Sequence, residues 1–331
     1  MKTVVLLVLS LSVGAIVIAC VLITQPILSL AHPPRETIVV DIDRLQNHVR
    51  HLSEVISPRG HRSPANLDRA SEYIAEQFRL AGAEVEFQPY EVAGQIYRNV
   101  IARYGPKTKQ RLIVGAHYDS CEFEIGKSFP GADDNASGVA GLLELAHLIR
   151  RDLPQIGVEL VAYTLEEPPY FRTASMGSTV HARHLSENHV QVRAMIALEM
   201  IGYFSSQANS QTLPCAGLSV LYPSRGNFIA VVGGIGDIFL TRKIKDRMRR
   251  SEPLMPVRSI SAPRFIPGID FSDHLSYWTF GFPAVMITDT AFYRNSRYHT
   301  VNDTYQTLDY ERMAQVVRGV FGAVRELSGT L

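Results

Sequence analysis

The sequence predicts an α/β fold, a mostly parallel sheet with helices on both faces. Two observations support this prediction: amphipathic helical patterns alternate along the chain with short apolar runs, and those runs are rich in β-branched residues. Strands separated by helices form parallel sheets that helices cover on both faces. Because no linker, low-complexity tract or repeat interrupts residues 32–331, we expect a single domain there, preceded by a separate segment over residues 1–31.

The spacing of apolar residues predicts several helices. Residues 41–56 and 66–82 repeat apolar positions every three or four residues, and the second pattern ends at Gly82, a typical C-terminal cap. Another helix follows NASG, where Asn135 and Ser137 are suited to cap the first turn. The last helix begins at Tyr310 and ends near residue 327.

The apolar runs between these helices have the length of strands. They are AEVEFQPY, RNVIARY, RLIVGAHY, VELVAYTL, AMIALEMI, GLSVLY and FPAVMITD. In parallel sheets, ligands bind beyond the carboxyl ends of the strands. Candidate functional residues are therefore expected just after these runs.

The N-terminal segment contains an uncharged apolar run from Val4 to Ile23, long enough as a helix to span the roughly 30 Å hydrocarbon core of a bilayer. One interpretation is an uncleaved membrane anchor with the following domain outside the cytoplasm. A second is a cleaved signal peptide, because Ser29 and Ala31 form a small-x-small site. A third is a lipoprotein signal, because VIAC ends at Cys20. All three export the protein, as an anchored, secreted or periplasmic domain.

The overall composition excludes several classes of protein. Lys and Arg total 33 against 32 for Asp and Glu, so nothing indicates nucleic acid as a partner. The basic run RKIKDRMRR at 242–250 is interpreted as a solvated helix face and not as an anion-binding patch. Beyond the N-terminal segment only Cys121 and Cys215 remain, which excludes a disulfide framework but leaves open one disulfide or two separate thiols.

Histidines and acids recur in five separate segments that lie at the same edge of the predicted sheet. They are His117 and Asp119, then Asp133 and Asp134, then Glu166 and Glu167, then Glu199, and finally His299 and Asp303. Carboxylates crowded at one edge repel each other and resist burial unless a cation compensates them. With imidazoles and no thiolates in this set, zinc is the expected ion, with cobalt or manganese as substitutes.

A two-metal hydrolytic site needs a histidine and a carboxylate for each ion and one carboxylate that both ions share. The predicted metal ligands are His117, Asp133 as the shared acid, Glu167, Glu199 and His299. Glu166 is left as the general base. Asp119 is expected to accept a hydrogen bond from His117 and fix its tautomer, and the alternative is that Asp119 only caps the strand end.

Motifs over residues 40–325 resemble, in order, those of one known family. They include GAHYDS, GADDNASGVAGLLELA, LEEPPYFRTASMGSTVHA, ALEMIGYF and SDHLSYWTFGFPAVMITDT. The sequence is similar to the zinc metallopeptidase family of bacterial leucyl aminopeptidases, glutamate carboxypeptidase and glutaminyl cyclase. The resemblance implies a three-layer zinc exopeptidase fold with a mixed sheet of about eight strands, two Zn2+ per chain, and the same ligands and base. Glu199 departs from this pattern, in which aspartate is frequent.

The resemblance further implies an aminopeptidase that hydrolyses N-terminal residues from peptides with metal-activated water. A carboxypeptidase is one alternative, in which Arg264, Arg294 or Arg297 would bind the terminal carboxylate, and a glutaminyl-cyclase-like zinc enzyme is another. Tyr298 is expected near the developing oxyanion, where related carboxypeptidases use a tyrosine. A serine hydrolase is disfavoured because the sequence contains no G-x-S-x-G motif.

Overall fold

The computed structural model describes residues 12, 14, 17–27, 38–122 and 129–329. Within these ranges one mixed sheet contains eight strands. In chain order they are β1 (Glu84–Val92), β2 (Gln95–Tyr104), β3 (Gln110–His117), β4 (Gly157–Tyr163), β5 (Gln191–Glu199), β6 (Ile229–Gly233), β7 (Val257–Ser261) and β8 (Ala284–Thr288).

Helices cover both faces of this sheet. They are α1 (Ile42–Arg50, continued by a π-helical turn over His51–Val55), α2 (Pro64–Leu80), α3 (Gly138–Arg151), α4 (Gly177–Glu187), α5 (Ile238–Ser251), α6 (His274–Thr279) and α7 (Tyr310–Leu327). The apolar faces of α1, α2, α3, α5 and α7 pack with one side of the sheet, and those of α4 and α6 pack with the other. The predicted α/β class, a mixed sheet between helical layers, is confirmed.

The order of the strands, β1-β2-β4-β3-β5-β8-β6-β7, places four parallel strands at the centre. β4, β3, β5 and β8 are mutually parallel, whereas β2 pairs antiparallel with β4 and β6 pairs antiparallel with β8. Parallel neighbours end at the same edge of a sheet. The residues that follow β3, β4, β5 and β8 therefore meet at one place.

Three details differ from the sequence prediction. The run GLSVLY, predicted as a strand, forms instead a 3-10 helix over Ala216–Val220, because it lies at the surface where its β-branched Val220 is exposed. Conversely, β6 and β7 were not among the predicted strands.

The basic run lies on α5 as a helix, but Lys245 is buried, and its ammonium group donates hydrogen bonds to two backbone carbonyls, those of Thr24 (2.7 Å) and Gln25 (3.1 Å).

Only part of the predicted N-terminal apolar run falls within the described ranges, where residues 17–24 are helical. Among the residues described, none of the helices combines the length and the apolar character needed to cross a bilayer. Most of the run from Val4 and the predicted cleavage site at Ser29 and Ala31 lie outside the described residues. Membrane anchoring, signal cleavage and export therefore stay predictions of the sequence.

Candidate metal site

Side chains at or beyond the ends of β3, β4, β5 and β8 converge at one edge of the sheet. His117 is the last residue of β3, and Glu199 is the last residue of β5. Glu166 and Glu167 follow β4 in the chain, and His299 lies in the segment beyond β8. The three glutamates and His117 are buried, and His299 is partly exposed. The structure thus brings together these five predicted site residues.

Two histidine–carboxylate clusters form at this edge, and Asp134 contacts both. His117 Nε2 lies 3.3 Å from Asp134 Oδ1 and 3.3 Å from Glu199 Oε2. His299 Nε2 lies 3.0 Å from Asp134 Oδ2 and 3.2 Å from Glu167 Oε2. The two oxygens of Asp134 therefore face different histidines, which is the arrangement expected of a carboxylate shared by two ions.

The prediction that Asp133 is the shared carboxylate is wrong, because its side chain points away from the histidines. Asp133 Oδ1 accepts a hydrogen bond from the Gly202 backbone N–H (3.0 Å), and Oδ2 accepts one from Asn295 Nδ2 (2.9 Å). The backbone at Asp134 is not helical (φ −105°, ψ 89°), so the two adjacent acids face opposite directions. Asp133 has a structural position, and Asp134 takes the place in the site.

Asp303 holds the loop that carries these two acids. Its carboxylate accepts the backbone N–H of Asp133 (2.9 Å) and that of Asp134 (3.1 Å). Asp303 comes four residues after His299 in the chain. The segment that supplies one histidine thus also fixes the position of the shared acid.

Asp119 lies beside His117, as predicted, and also contacts the Glu166–Glu167 backbone. His117 Nδ1 is 3.5 Å from Asp119 Oδ1 and 3.2 Å from the Asp119 backbone carbonyl oxygen. The same carboxylate accepts hydrogen bonds from the backbone N–H groups of Glu166 (3.2 Å) and Glu167 (3.0 Å). Asp119 therefore connects the end of β3 to the turn after β4, a second contact that the sequence did not predict.

Glu199 is oriented by a hydrogen bond from the loop before α6. Ser272 Oγ donates to Glu199 Oε2 at 2.7 Å, and both side chains are buried. The next residue, Asp273, is also buried close to this point. The glutamate therefore reaches the His117 cluster with a fixed carboxylate, although aspartate is frequent at this position in the family that the motifs resemble.

Burial and mutual repulsion shift the pKa values of Glu166, Glu167 and Asp273 upward, whereas contacts with His117 and His299 hold the pKa of Asp134 below its usual range. Burial, together with Asp134, raises the pKa of Glu167 to about 7. Burial and the nearby Glu167 and Glu199 hold the pKa of Glu166 well above its usual range. Burial likewise raises the pKa of Asp273 to about 7, with Glu199 and Asp119 contributing. Cations bound between these groups would lower their pKa values again.

The donor atoms at this edge fit a divalent ion such as zinc. One oxygen of Glu167, Oε1, is buried and finds no hydrogen-bond partner among the described residues, which is costly unless a cation occupies the space beside it. The ligand atoms of His117, Asp134 and Glu199 lie within 4.8 Å of one another. Imidazole nitrogen with carboxylate oxygen is a frequent zinc donor set.

Arg59 is a contributor to this region that sequence reasoning missed. Its guanidinium group is fully buried and donates hydrogen bonds to the backbone carbonyls of Tyr118 (2.8 Å), Pro130 (2.9 Å) and Gly131 (2.8 Å). Burial lowers the pKa of Arg59 to about 10, and the nearby Asp119 and Asp303 oppose that shift. Arg59 thus joins the end of β3 to the start of the Asp134 loop and adds a positive charge near the acids.

Tyr298 lies against the second histidine and borders an apolar pocket. Its ring stacks on the His299 ring, with centroids 3.8 Å apart and an interplanar angle of 19°. The pocket extends from Glu199 and Tyr298, and apolar side chains dominate its wall, among them Leu213, Leu218, Phe228, Ile269 and Phe292. Burial raises the pKa of Tyr298 above its usual range, so its hydroxyl stays protonated at neutral pH.

Histidines and carboxylates gathered beyond the ends of central parallel strands are the arrangement expected of a metal-dependent enzyme with an α/β fold. Residues 99–324 match the family model described as Peptidase family M28. This match covers more than half of the chain. The chain therefore belongs to Peptidase family M28.

Relatives and solved structures agree with this assignment. The chain is 51% identical over 281 residues to "Uncharacterized protein YfbL" of Escherichia coli, covering 84% of this chain and 86% of the relative. It is 26% identical over 318 residues to "Leucine aminopeptidase 1" of Ajellomyces capsulatus, covering 91% of this chain and 74% of that one. Its fold is similar to that of BSAP, a zinc aminopeptidase from Bacillus subtilis, with a TM-score of 0.71 and 16% identity over 88% of this chain and 96% of that one.

Substitution of Asp133 and of Asp134 tests which of the two acids contributes to metal binding. We expect Asp134→Asn to weaken zinc binding by about 10-fold or more, because it alters a carboxylate that contacts both histidines. Asp133→Asn is the matched control, which should retain zinc while losing about 1–3 kcal/mol of stability through its disturbed hydrogen bonds. Zinc per chain after dialysis and the urea unfolding midpoint measure both effects. Wild-type zinc content in Asp134→Asn would contradict the assignment.

Proposed function

We propose that this chain is a dizinc exopeptidase that removes N-terminal residues from peptides. The observation that carries the proposal is the pair of histidine–carboxylate clusters that share Asp134, with Glu166 beside them. In this proposal His117 and Glu199 hold one ion, His299 and Glu167 hold the other, and Asp134 contacts both. Membership in a peptidase family and an aminopeptidase relative support this assignment.

Two zinc ions would supply Lewis-acid activation of the attacking water and of the scissile carbonyl. Glu166 is the residue placed to act as the general base. Its Oε2 lies 3.9 Å from His117 Nε2, beside the ligands of the first ion, where a carboxylate can accept a proton from a bound water. Glu166 removes a proton from the water and returns it to the leaving amine.

Tyr298 is proposed to stabilise the negative charge that develops on the carbonyl oxygen. Its ring is held against His299, and its hydroxyl keeps its proton, so it is available as a hydrogen-bond donor. Asp119 is proposed to position both His117 and the Glu166–Glu167 backbone. It touches neither substrate nor reacting atoms in this proposal.

The positions of three arginines favour an aminopeptidase over a carboxypeptidase. Arg294 donates to Gln211 Oε1 (2.9 Å) and to the Tyr203 carbonyl (3.2 Å), so two of its three guanidinium nitrogens are engaged within the fold. Arg297 lies over the Tyr203 ring and Arg264 over the Trp278 ring, at 5.5 Å and 4.8 Å from the ring centroids. None of the three borders the apolar pocket.

A carboxypeptidase remains the second candidate because of one other arginine. Arg258 on β7 is exposed and borders the apolar pocket, where it offers a positive charge to a terminal carboxylate. A glutaminyl-cyclase-like reaction with a single zinc is less well supported, because both histidine clusters are complete.

Hydrolysis of a substrate panel tests the proposed activity. We expect cleavage of amino-acid anilides with a free amine, faster for leucine than for glutamate because the pocket wall is apolar, and no cleavage of acetylated anilides. A chelator should abolish the activity and added zinc should restore it. Cleavage of N-blocked peptides with a free carboxylate would select the carboxypeptidase instead, and activity that resists chelation would contradict both.

If Glu166 is the general base, a variant at this position should lose turnover while it still binds metal. Glu166→Gln should lower kcat by about 10²–10⁴-fold, because the amide cannot accept the proton, while zinc per chain stays at the wild-type level. Glu187→Gln, at an exposed position on α4, is the matched control and should keep full activity. Parallel loss of zinc in Glu166→Gln would argue that Glu166 is a ligand and not the base.

The role of Tyr298 predicts a loss confined to turnover. Tyr298→Phe keeps the stacked ring but removes the hydroxyl, so kcat should fall by about 10²-fold or more with little change in KM. Tyr305→Phe serves as the control, because Tyr305 is also partly buried and its ring lies against the Arg50 guanidinium group (5.8 Å). Steady-state kinetics on the preferred anilide measure both, and an unchanged kcat in Tyr298→Phe would remove the hydroxyl from the mechanism.

A further inference from the structure

Cys121 is a buried thiol beside the His299 cluster. It follows β3 in the same segment as His117 and Asp119, and only 3% of its surface is exposed. Cys215, by contrast, is exposed, and both cysteines are free thiols, so the two do not form a disulfide. Cys121 is therefore not placed in the structure by a disulfide with Cys215.

The neighbours of Cys121 are metal-binding groups. A ligand atom of Cys121, one of Glu167 and one of His299 all lie within 4.8 Å of one another. Independently of the thiol, Glu167 Oε1 is buried in this region, and none of the residues that the structure describes is its hydrogen-bond partner. A thiol that only fills space packs against apolar atoms, whereas Cys121 meets an imidazole and a carboxylate.

With Cys121 included, the two clusters offer different kinds of donor atom. The His117 cluster has nitrogen and oxygen donors, from His117, Asp134 and Glu199. At the other cluster Asp134 and Glu167 contact His299, and a ligand atom of Cys121 lies within 4.8 Å of those of Glu167 and His299. Zinc accepts thiolate sulfur, imidazole nitrogen and carboxylate oxygen as ligands.

We propose that Cys121 supplies a thiolate ligand to the ion held by His299 and Glu167, which gives this position nitrogen, oxygen and sulfur donors. The inference rests on the proposed two-metal function. On binding, the thiol proton passes to solvent and the sulfur lone pair forms the bond to the ion.

The sulfur donor gives the two positions different metal preferences. Thiolate favours zinc over manganese and magnesium, whereas imidazole with carboxylates discriminates less between them. The ion at the His299 position should therefore be retained longer during dialysis against chelator than the ion at the His117 position. Manganese added afterwards should enter the His117 position first.

Cobalt spectroscopy tests this ligand directly, without relying on activity. Metal-depleted protein is titrated with Co2+ while its near-ultraviolet absorption is recorded, because thiolate coordination gives Co2+ a charge-transfer band that nitrogen and oxygen ligands do not give. We expect the band in the wild type and in the control Cys215→Ser, and its loss in Cys121→Ser. Zinc at the second position should also bind at least about 10-fold more weakly in Cys121→Ser.

The outcomes separate this proposal from the function on which it rests. Two bound Co2+ per wild-type chain without the band would overturn the Cys121 ligand and leave the two-metal function intact. Failure of the wild type to bind Co2+ at all would overturn both. If Cys121→Ser does not fold, the titration of the wild type alone decides, and Cys121→Ala replaces the serine variant in the comparison.

Discussion

The excess of buried negative charge at one edge of the sheet is the constraint on which the rest of this site depends. Asp134, Glu166, Glu167 and Glu199 lose most of their contact with water together, and burial raises the pKa of Glu166 and Glu167. The protein offsets part of this charge with two imidazoles and with the guanidinium group of Arg59. The remaining charge must be neutralised by protons or by cations, and the proposed metal ions would supply that positive charge.

Burial explains only part of which strands could be predicted, because β6 is buried throughout and was still missed, whereas the partly exposed edge strand β1 was predicted. The central strands β3, β4, β5 and β8 are covered on both faces, so their sequences are continuous apolar runs that identify them. β7 lies at the edge of the sheet and mixes exposed with buried residues over only five positions, so no such run is present. GLSVLY has the composition of a strand but lies at the surface, where composition does not determine conformation.

The part of the candidate site that could be predicted consists of residues at or just after the ends of strands. The rule that ligands bind beyond parallel strands identified His117, Glu199 and the Glu166–Glu167 pair, because each follows a strand directly. The choice between Asp133 and Asp134 depends instead on the backbone angles of one loop and on hydrogen bonds from distant residues, which no local pattern encodes. Arg59 has no sequence signal, because its partners are backbone carbonyls.

The carboxylate of Asp119 contacts groups at the ends of two neighbouring strands and thereby restrains their relative positions. His117 at the end of β3 and the Glu166–Glu167 turn after β4 are fastened to the same two oxygens. His117 and the Glu166–Glu167 backbone therefore cannot move apart without breaking a contact to Asp119, which couples the end of β3 to the turn after β4.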